Sequence, residues 1–257
     1  DEFLHQAKKY ISTVKEKPFF LFYTLQQPHV PRTPHPRFEG KSGMGPRGDA
    51  IIEADWCIGQ IYAHLEENNL LENTILILSS DNGPVLNDGY YDDAVEKLGD
   101  HTPSGDLRGG KYSLFEAGTR VPFITYWKGK IKPQVTDAMV SQIDFLNSIA
   151  SLIGSEIRSK DGMDLSDVLF KNSGEGRNEF VLEAQTKTAF RNKNWVLIPP
   201  YKGAAKSFYT NVELGNDANY QLFDLHTDRS QQNNLAESHP EKLNEMIERY
   251  QEIRGSQ

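Results

Sequence analysis

The stretch Thr74-Ile-Leu-Ile-Leu-Ser-Ser-Asp81-Asn82-Gly83-Pro84 decides the fold. Ile75 to Leu78 is an apolar run with no polar alternation. That is the pattern of a strand buried on both faces, and so of a mostly parallel sheet flanked by helices. The run stops at two serines and then places a carboxylate and an amide at its carboxyl end. Both are hard oxygen donors, and in open α/β sheets that end is where ligands bind. Asn-Gly is also a strong hairpin signal. A hairpin needs a second strand at once, and Val85 to Tyr91 (Val-Leu-Asn-Asp-Gly-Tyr-Tyr) does not supply a convincing one. Asp81 and Asn82 are therefore the first candidate site residues.

Upstream, the spacing predicts a helix over 1–14, with Phe3, Leu4, Ala7, Tyr10, Ile11 and Val14 on one face. Phe19 to Leu25 is a second apolar run and reads as another buried strand. It ends in a loop containing Gln26, Gln27, His29, Arg32 and His35, all able to contact an anion or a metal, stiffened by Pro28, Pro31, Pro34 and Pro36. His29 is the candidate for catalysis or anion contact, whereas His35 suits a surface or proline-packing role. The Gly-rich loop 40–47 fails the phosphate-loop pattern, because His35 stands where that pattern's first glycine belongs. A helix follows over 49–68, with Ile51, Ile52, Ala54, Cys57, Ile58, Ile61, Tyr62 and Leu65 inward, so Cys57 reads as a small buried hydrophobe. Strand, helix and strand in this order imply a right-handed crossover.

Downstream, residues 85–110 form a long loop rich in Asp and Tyr, most of its acids solvated, and loops of that length in a compact domain are usually functional. It closes on His101 and on Arg108-Gly109-Gly110-Lys111, where the glycines let backbone approach a ligand closely. Glu116 and Arg120 suit a structural ion pair. Val121 to Trp127 reads as a third strand. Residues 140–154 read as a helix with Ile143, Leu146, Ile149, Ala150, Leu152 and Ile153 inward and Gly154 at its carboxyl end, and a short helix runs up to Phe170. Asn172 to Gly176 is the best boundary, dividing an α/β part, 1–174, from a small α+β part, 175–257. In the latter, 179–185 and 188–198 pair as antiparallel strands, 220–225 is a third, and 239–253 is a closing helix with Leu243, Met246, Ile247 and Tyr250 inward.

Composition narrows the function. Apolar and charged fractions of 37% and 25% describe a globular chain. A net charge of −8 argues against nucleic acid as a partner. No apolar run approaches the ~18 residues of a membrane span. One cysteine excludes an intrachain disulfide or a Cys-rich zinc site. The absence of Asn-x-Ser/Thr acceptors, with that of disulfides, leans towards a bacterial protein, periplasmic or secreted.

Five ordered stretches now point one way: Lys-Pro-Phe-Phe-Leu-Phe-Tyr ending in Pro28-His29-Val-Pro, the 49–71 helix, Ser-Asp81-Asn82-Gly-Pro, Leu-Arg-Gly-Gly-Lys111 with Phe-Glu-Ala-Gly-Thr-Arg-Val-Pro, and Leu-Phe-Asp-Leu-His-Thr-Asp with Asn-Asn-Leu-Ala. Together they resemble the formylglycine-dependent arylsulfatases, arylsulfatase A-like members of the alkaline-phosphatase-like superfamily. The resemblance implies that Asp81 and Asn82 ligate a divalent cation, usually Ca2+, with Mg2+ an alternative. It implies that Lys111 contacts the sulfate and that His29 lies beside sulfate and leaving oxygen as a catalytic proton or hydrogen-bond donor. His101, near Lys111 in sequence, is a weaker substrate contact. The family's nucleophile is a cysteine in Cys-x-Pro-Ser-Arg, with an Asp-Asp pair supplying further ligands, and neither is present here. Cys57 is followed by Ile-Gly-Gln. The chain thus resembles the second half of a sulfatase. Formylglycine and the amino-terminal half are expected outside it, and 1–257 alone is expected to be inactive, to bind metal weakly and to expose apolar sheet surface. The expected substrate is a sulfated small molecule or glycan. Two alternatives stand beside this reading. One is a phosphatase or phosphonate hydrolase of the same superfamily, which Asn82 disfavours because those sites commonly use Asp-His. The other is a non-catalytic carbohydrate-binding or scaffold protein, which the retained Asp81, Asn82, His29 and Lys111 disfavour.

Overall fold

In the computed structural model, which describes residues 2–255, helix α1 (Glu2–Val14) buries Leu4, Ala7 and Ile11 at three- and four-residue steps. It packs against α2 (Gly45–Glu67). The stripe is narrower than the periodicity predicts, because Phe3 and Tyr10 are exposed. Helix α2 starts four residues before the expected position. Pro46 stands in its first turn, where a missing N–H costs nothing, so the end of the Gly-rich loop is already helical. Its buried face carries Arg47, Asp49 and Glu53 alongside Ala50, Cys57, Ile61 and Leu65, whereas Ile51 is exposed. Asp49 is compatible with burial because it accepts from the Gly40 and Ser42 backbone N–H groups, each at 2.8 Å, and from Ser42 Oγ at 2.7 Å. Cys57 is buried, as its face predicts, and burial pushes its thiol pKa up.

The Phe19–Leu25 run is not a strand. Burial alternates along it, and Phe20 and Phe22 are 72% and 80% exposed. An apolar run is held as a central strand only by neighbours on both sides, and it has no pairing partner among the described residues. The strand–helix–strand crossover is therefore not completed here. The deciding run does form a strand, β1 (Leu76–Ser79), which pairs with β2 (Phe123–Tyr126) in a two-stranded sheet. Its residues are half-buried where the sequence predicts burial on both faces.

Helix α3 (Glu116–Thr119) is a single turn. Helix α4 (Phe145–Leu152) buries Ala150 as expected and half-buries Ile149 and Leu152, but Ile143, just before it, Leu146, and Ile153, just after it, are exposed, while Asn147 and Ser148 are buried. The reason is hydrogen bonding. Asn147 Oδ1 accepts from the Ser159 backbone N–H at 2.7 Å, and Ser148 Oγ accepts from that of Leu165 at 2.9 Å, so the following loop packs on the polar side. Gly154, with φ of +73°, follows the last turn as expected. Helix α5 (Ser166–Phe170) leads to a four-stranded antiparallel sheet in chain order, β3 (Glu179–Ala184), β4 (Lys187–Asn192), β5 (Trp195–Ile198) and β6 (Gln221–Asp224). The run 188–198 is thus two strands, broken at Lys193, whose φ is +51°. Alternation then sorts the residues. Ala189, Val196, Ile198 and Phe223 join Leu114 and Phe115 in one cluster. Phe190, Leu197 and Leu222 join Met246 of α6 (Pro240–Arg254) in another, with Leu243, Ile247 and Tyr250 packed against it.

The chain forms two compact units. The first comprises residues 1–76, 86–101 and 127–129, and the second 77–85, 102–126 and 130–257. Among the described residues no helix is long and apolar enough to cross a membrane.

Candidate functional site

Asp81 and Asn82 follow β1 directly. The neighbour of β1 is β2, some forty residues on, so Asp81-Asn82-Gly83 is not a hairpin turn. The turn is bound instead to the Lys111 segment, backbone to backbone. The Lys111 N–H donates to Pro84 O at 3.0 Å and the Gly83 N–H to Gly118 O at 2.9 Å. Two glycines permit this approach. A Cβ on Gly83 would stand 1.6 Å from Ala117 O and one on Gly110 2.4 Å from Pro84 O, while one on Gly118 would stand 2.1 Å from Ser113 O within the lysine segment itself. No side chain fits at such separations, so only glycine allows the metal-candidate turn and the lysine segment to touch here.

The same segment is fixed from the other side. Arg108 binds both carboxylate oxygens of Glu213, at 2.9 and 3.0 Å, and donates to Gln231 O at 2.7 Å. The Leu114 N–H donates to Leu214 O at 3.1 Å, and the Glu116 N–H to Gln231 Oε1 at 2.7 Å. Arg108 holds the Glu213 carboxyl below its ordinary range. Glu116 pairs with Arg120 at 3.1 Å, as the sequence suggests, and also with Arg191 of β4 at 2.8 Å. The Lys111 ammonium lies 5.1 Å from the centre of the Tyr112 ring. Glu213, Gln231 and Arg191 were not legible as supports, since each lies 75 or more residues from its partner and only the chain's return brings it close.

At the turn, Ser80 Oγ lies 3.4 Å from Asp81 Oδ1, and Asn82 Nδ2 donates to Gly83 O at 3.0 Å. With its nitrogen so engaged, the amide presents its oxygen as the end suited to a cation. A carboxylate and an amide oxygen fit a hard ion such as calcium. Among the described residues no group of three or more His, Cys, Asp or Glu could hold a metal. The pair thus fits part of a calcium shell of about six to eight oxygens.

His29 and His101 belong to the first unit. His29 Nδ1 lies 2.7 Å from Val30 O. A carbonyl only accepts, so Nδ1 carries the hydrogen and Nε2 is the ring nitrogen left for other contacts. His101 is exposed, and its N–H donates to Leu98 O at 3.3 Å. Arg32, able by sequence to contact an anion or a metal, is buried. It donates to Pro28 O, Leu86 O and Asp92 Oδ2, each at 2.9 Å, so Asp92 is ion-paired and not one of the solvated acids. Arg32 ties the backbone next to His29 to the 85–101 loop. His35 is structural: its N–H donates to Glu53 Oε2 at 3.1 Å and its Nδ1 accepts from the Arg37 N–H at 3.3 Å.

Residues 1–155 match the model of the Sulfatase family, and the chain belongs to that family, with its alkaline-phosphatase-like α/β fold. It is 45% identical to N-acetylgalactosamine-6-O-sulfatase of Bacteroides thetaiotaomicron over 99% of this chain and 50% of that protein. It is 28% identical to arylsulfatase A of Bos taurus over 92% of this chain and 48% of that one. A solved structure from work on glycosaminoglycan metabolism by Bacteroides thetaiotaomicron superposes with a TM-score of 0.95 at 44% identity, covering 98% of this chain and 54% of that chain. The chain spans about half the length of these curated relatives.

Proposed function

We propose that the protein containing this chain hydrolyses sulfate monoesters, with a sulfated glycan as the favoured substrate class. The observation that carries the reading is the direct backbone union of the Asp81-Asn82 turn with the Lys111 segment, in a chain whose first 155 residues match the Sulfatase family. The name of the Bacteroides relative supports a sulfated amino sugar.

A sulfate ester carries its charge on nonbridging oxygens and releases an oxyanion. The reaction calls for fixed positive charge, a nucleophile and a proton for the leaving oxygen. Asp81 and Asn82 would hold the cation by their oxygens, and calcium bound there would supply Lewis acidity at the sulfuryl oxygens. Lys111 adds a second positive charge, on a segment its glycines and Arg108 keep still. His29 holds the proton at Nε2, with Nδ1 anchored on Val30 O. His101 is a weaker substrate contact. Formylglycine and the remaining metal ligands are provided from outside these 257 residues, and the exposed Phe20, Phe22 and Ile124 suit a sheet continued by an amino-terminal half. The chain alone is then inactive, and the parent is a bacterial periplasmic or secreted protein.

The test supplies an amino-terminal sulfatase half by fusion and measures hydrolysis of an aryl sulfate. Asp81→Ala should lower kcat/KM by more than about a hundredfold, with activity restored in part by raised calcium. Unchanged turnover in that variant, or robust turnover by 1–257 alone, overturns the reading. Phosphate monoesters cleaved faster than sulfates would favour the phosphatase branch.

A further inference from the structure

Residues 205–214 form a short hairpin in the second unit. Lys206 bridges Glu213 in antiparallel register, the Leu214 N–H donates to Ala205 O at 2.8 Å, and the Ser207 N–H donates to Val212 O at 2.8 Å. The tip is closed by the Asn211 N–H, which donates to Ser207 O at 2.9 Å, and by the Thr210 N–H, which donates to Ser207 Oγ at 3.2 Å. Asn211 turns the chain in the left-handed region, at φ of +56°. This fixed tip carries Phe208 and Tyr209, which are 91% and 76% exposed. Their rings meet edge to face, with centroids 5.2 Å apart and planes at 87°, so each steadies the other while most of both stays open. Two adjacent aromatic rings left open on one turn are the kind of apolar surface that marks a contact site.

The hairpin lies along the lysine segment. The Val212 methyl groups stand 3.6 Å from the Cβ position of Gly110, and that same position is 2.4 Å from Pro84 O. Further along, Ser113 Oγ donates to Glu213 O at 2.5 Å, Arg108 binds the Glu213 carboxylate at 2.9 and 3.0 Å, and the Leu114 N–H donates to Leu214 O at 3.1 Å. The Asp81 turn, Gly110 and Val212 therefore follow one another in direct contact, and the aromatic pair stands at the Val212 end of the hairpin. All of these residues belong to the second unit.

We propose that Phe208 and Tyr209 are the sugar-binding face of the sulfate site, stacking on a pyranose ring of the substrate whose sulfate Lys111 contacts. The proposal rests on the sulfate-ester reading of Asp81 and Lys111, and it concerns the part of the substrate that is not sulfate. A pyranose has a face of C–H groups and a rim of hydroxyls. The C–H face packs on an aromatic ring while the rim stays hydrated or bonds to polar groups. Phe and Tyr give such contact area at little cost in rotamer freedom. An open aromatic pair beside a segment that carries a fixed cation thus matches a ligand with both an apolar face and an anionic group. Phe20, Phe22 and Ile124 lie on an extended run and on a strand, where a sheet can be continued. Phe208 and Tyr209 instead cap a closed turn with no strand edge to extend, which suits a ligand and not an added strand.

The fused enzyme is assayed with a 6-O-sulfated N-acetylhexosamine as substrate and with inorganic sulfate as competitive inhibitor, the second having no ring to stack. Replacing both rings, Phe208→Ala with Tyr209→Ala, should raise KM for the sugar sulfate about tenfold with kcat changed far less, because a ring contact kept throughout the reaction is uniform binding. The inhibition constant of inorganic sulfate should stay at its native value. Tyr209→Phe, which keeps the ring, should keep the native KM. An unchanged KM in the double variant overturns the proposal. So does an equal weakening of inorganic sulfate, which would make the tip a support for the Lys111 segment. A fall in the melting temperature of the fusion with kcat lost in parallel also overturns it, since the pair would then pack on the amino-terminal half. Each of these outcomes leaves sulfate-ester hydrolysis by the native enzyme standing. A native fusion that neither cleaves the sugar sulfate nor is inhibited by inorganic sulfate instead refutes the reading of Asp81 and Lys111, and the proposal with it.

Discussion

The Lys111 segment and the His29 loop are both candidate site elements, and they are held by different means. Lys111 sits in a lattice of backbone hydrogen bonds, and its segment's contacts with the Asp81 turn exist because Gly83 and Gly110 have no Cβ. The His29 loop depends on one side chain. Arg32 donates within the loop to Pro28 O and joins it to the 86–101 segment through two hydrogen bonds, to Leu86 O and Asp92. A backbone lattice is rigid but intolerant of any added atom. A single buried guanidinium is tolerant of its surroundings but fails as a whole when removed. The first suits an element that must fix a charge, and the second an element whose neighbour is a long loop.

Substitutions at the two places should therefore fail differently. The largest effect is expected for Gly83→Ala, whose Cβ would fall 1.6 Å from Ala117 O, so the turn and the lysine segment must part. We expect a loss of more than about 3 kcal/mol in urea unfolding, with calcium affinity of the reconstituted enzyme lost in parallel. A stability within error of the native protein would show that the two loops are not rigidly joined. Next is Arg32→Met, which leaves Asp92 buried without its cation and should cost about 3 kcal/mol. Here the added readout is limited proteolysis, with new cleavage confined to residues 85–101. Protection of that loop in the variant would show that Arg32 is not its tie. The smallest effect is expected at Arg108, where Arg108→Met should cost about 1 kcal/mol, because its pair with Glu213 is partly exposed. It should also change the acid response. Arg108 depresses the folded-state pKa of Glu213. The stabilisation is therefore fully present above the unfolded value of about 4.3 and is lost as pH falls through the lower folded value. As pH falls from neutrality through the unfolded value and on through the lower folded one, the native protein should lose more stability than the variant. Equal losses would sever the link between the carboxyl-terminal sheet and Lys111.

Periodicity was a good guide where an element has partners to pack against. Leu4, Ala7 and Ile11 of α1, Cys57 of α2, and Met246 of α6 are all buried where the sequence puts them. It failed in two instructive places. In α4 Ala150 is buried as expected but Leu146 is exposed, because Asn147 and Ser148 turn inward to hydrogen-bond the following loop. In Phe19–Leu25 an apolar run does not form a strand, because strand formation needs a neighbour that the described residues do not provide.

The sequence by itself determined that an acid–amide pair ends an apolar strand, that glycines flank Lys111, and that the ordered motifs resemble a sulfatase. These are local facts, set by residue type and spacing. Tertiary structure alone decided that Pro84 and Gly118 join the two segments and that Arg32 faces inward on Asp92. Each of these depends on groups far apart in the chain. Such contacts follow from how the backbone closes on itself, and neither composition nor period records that closure.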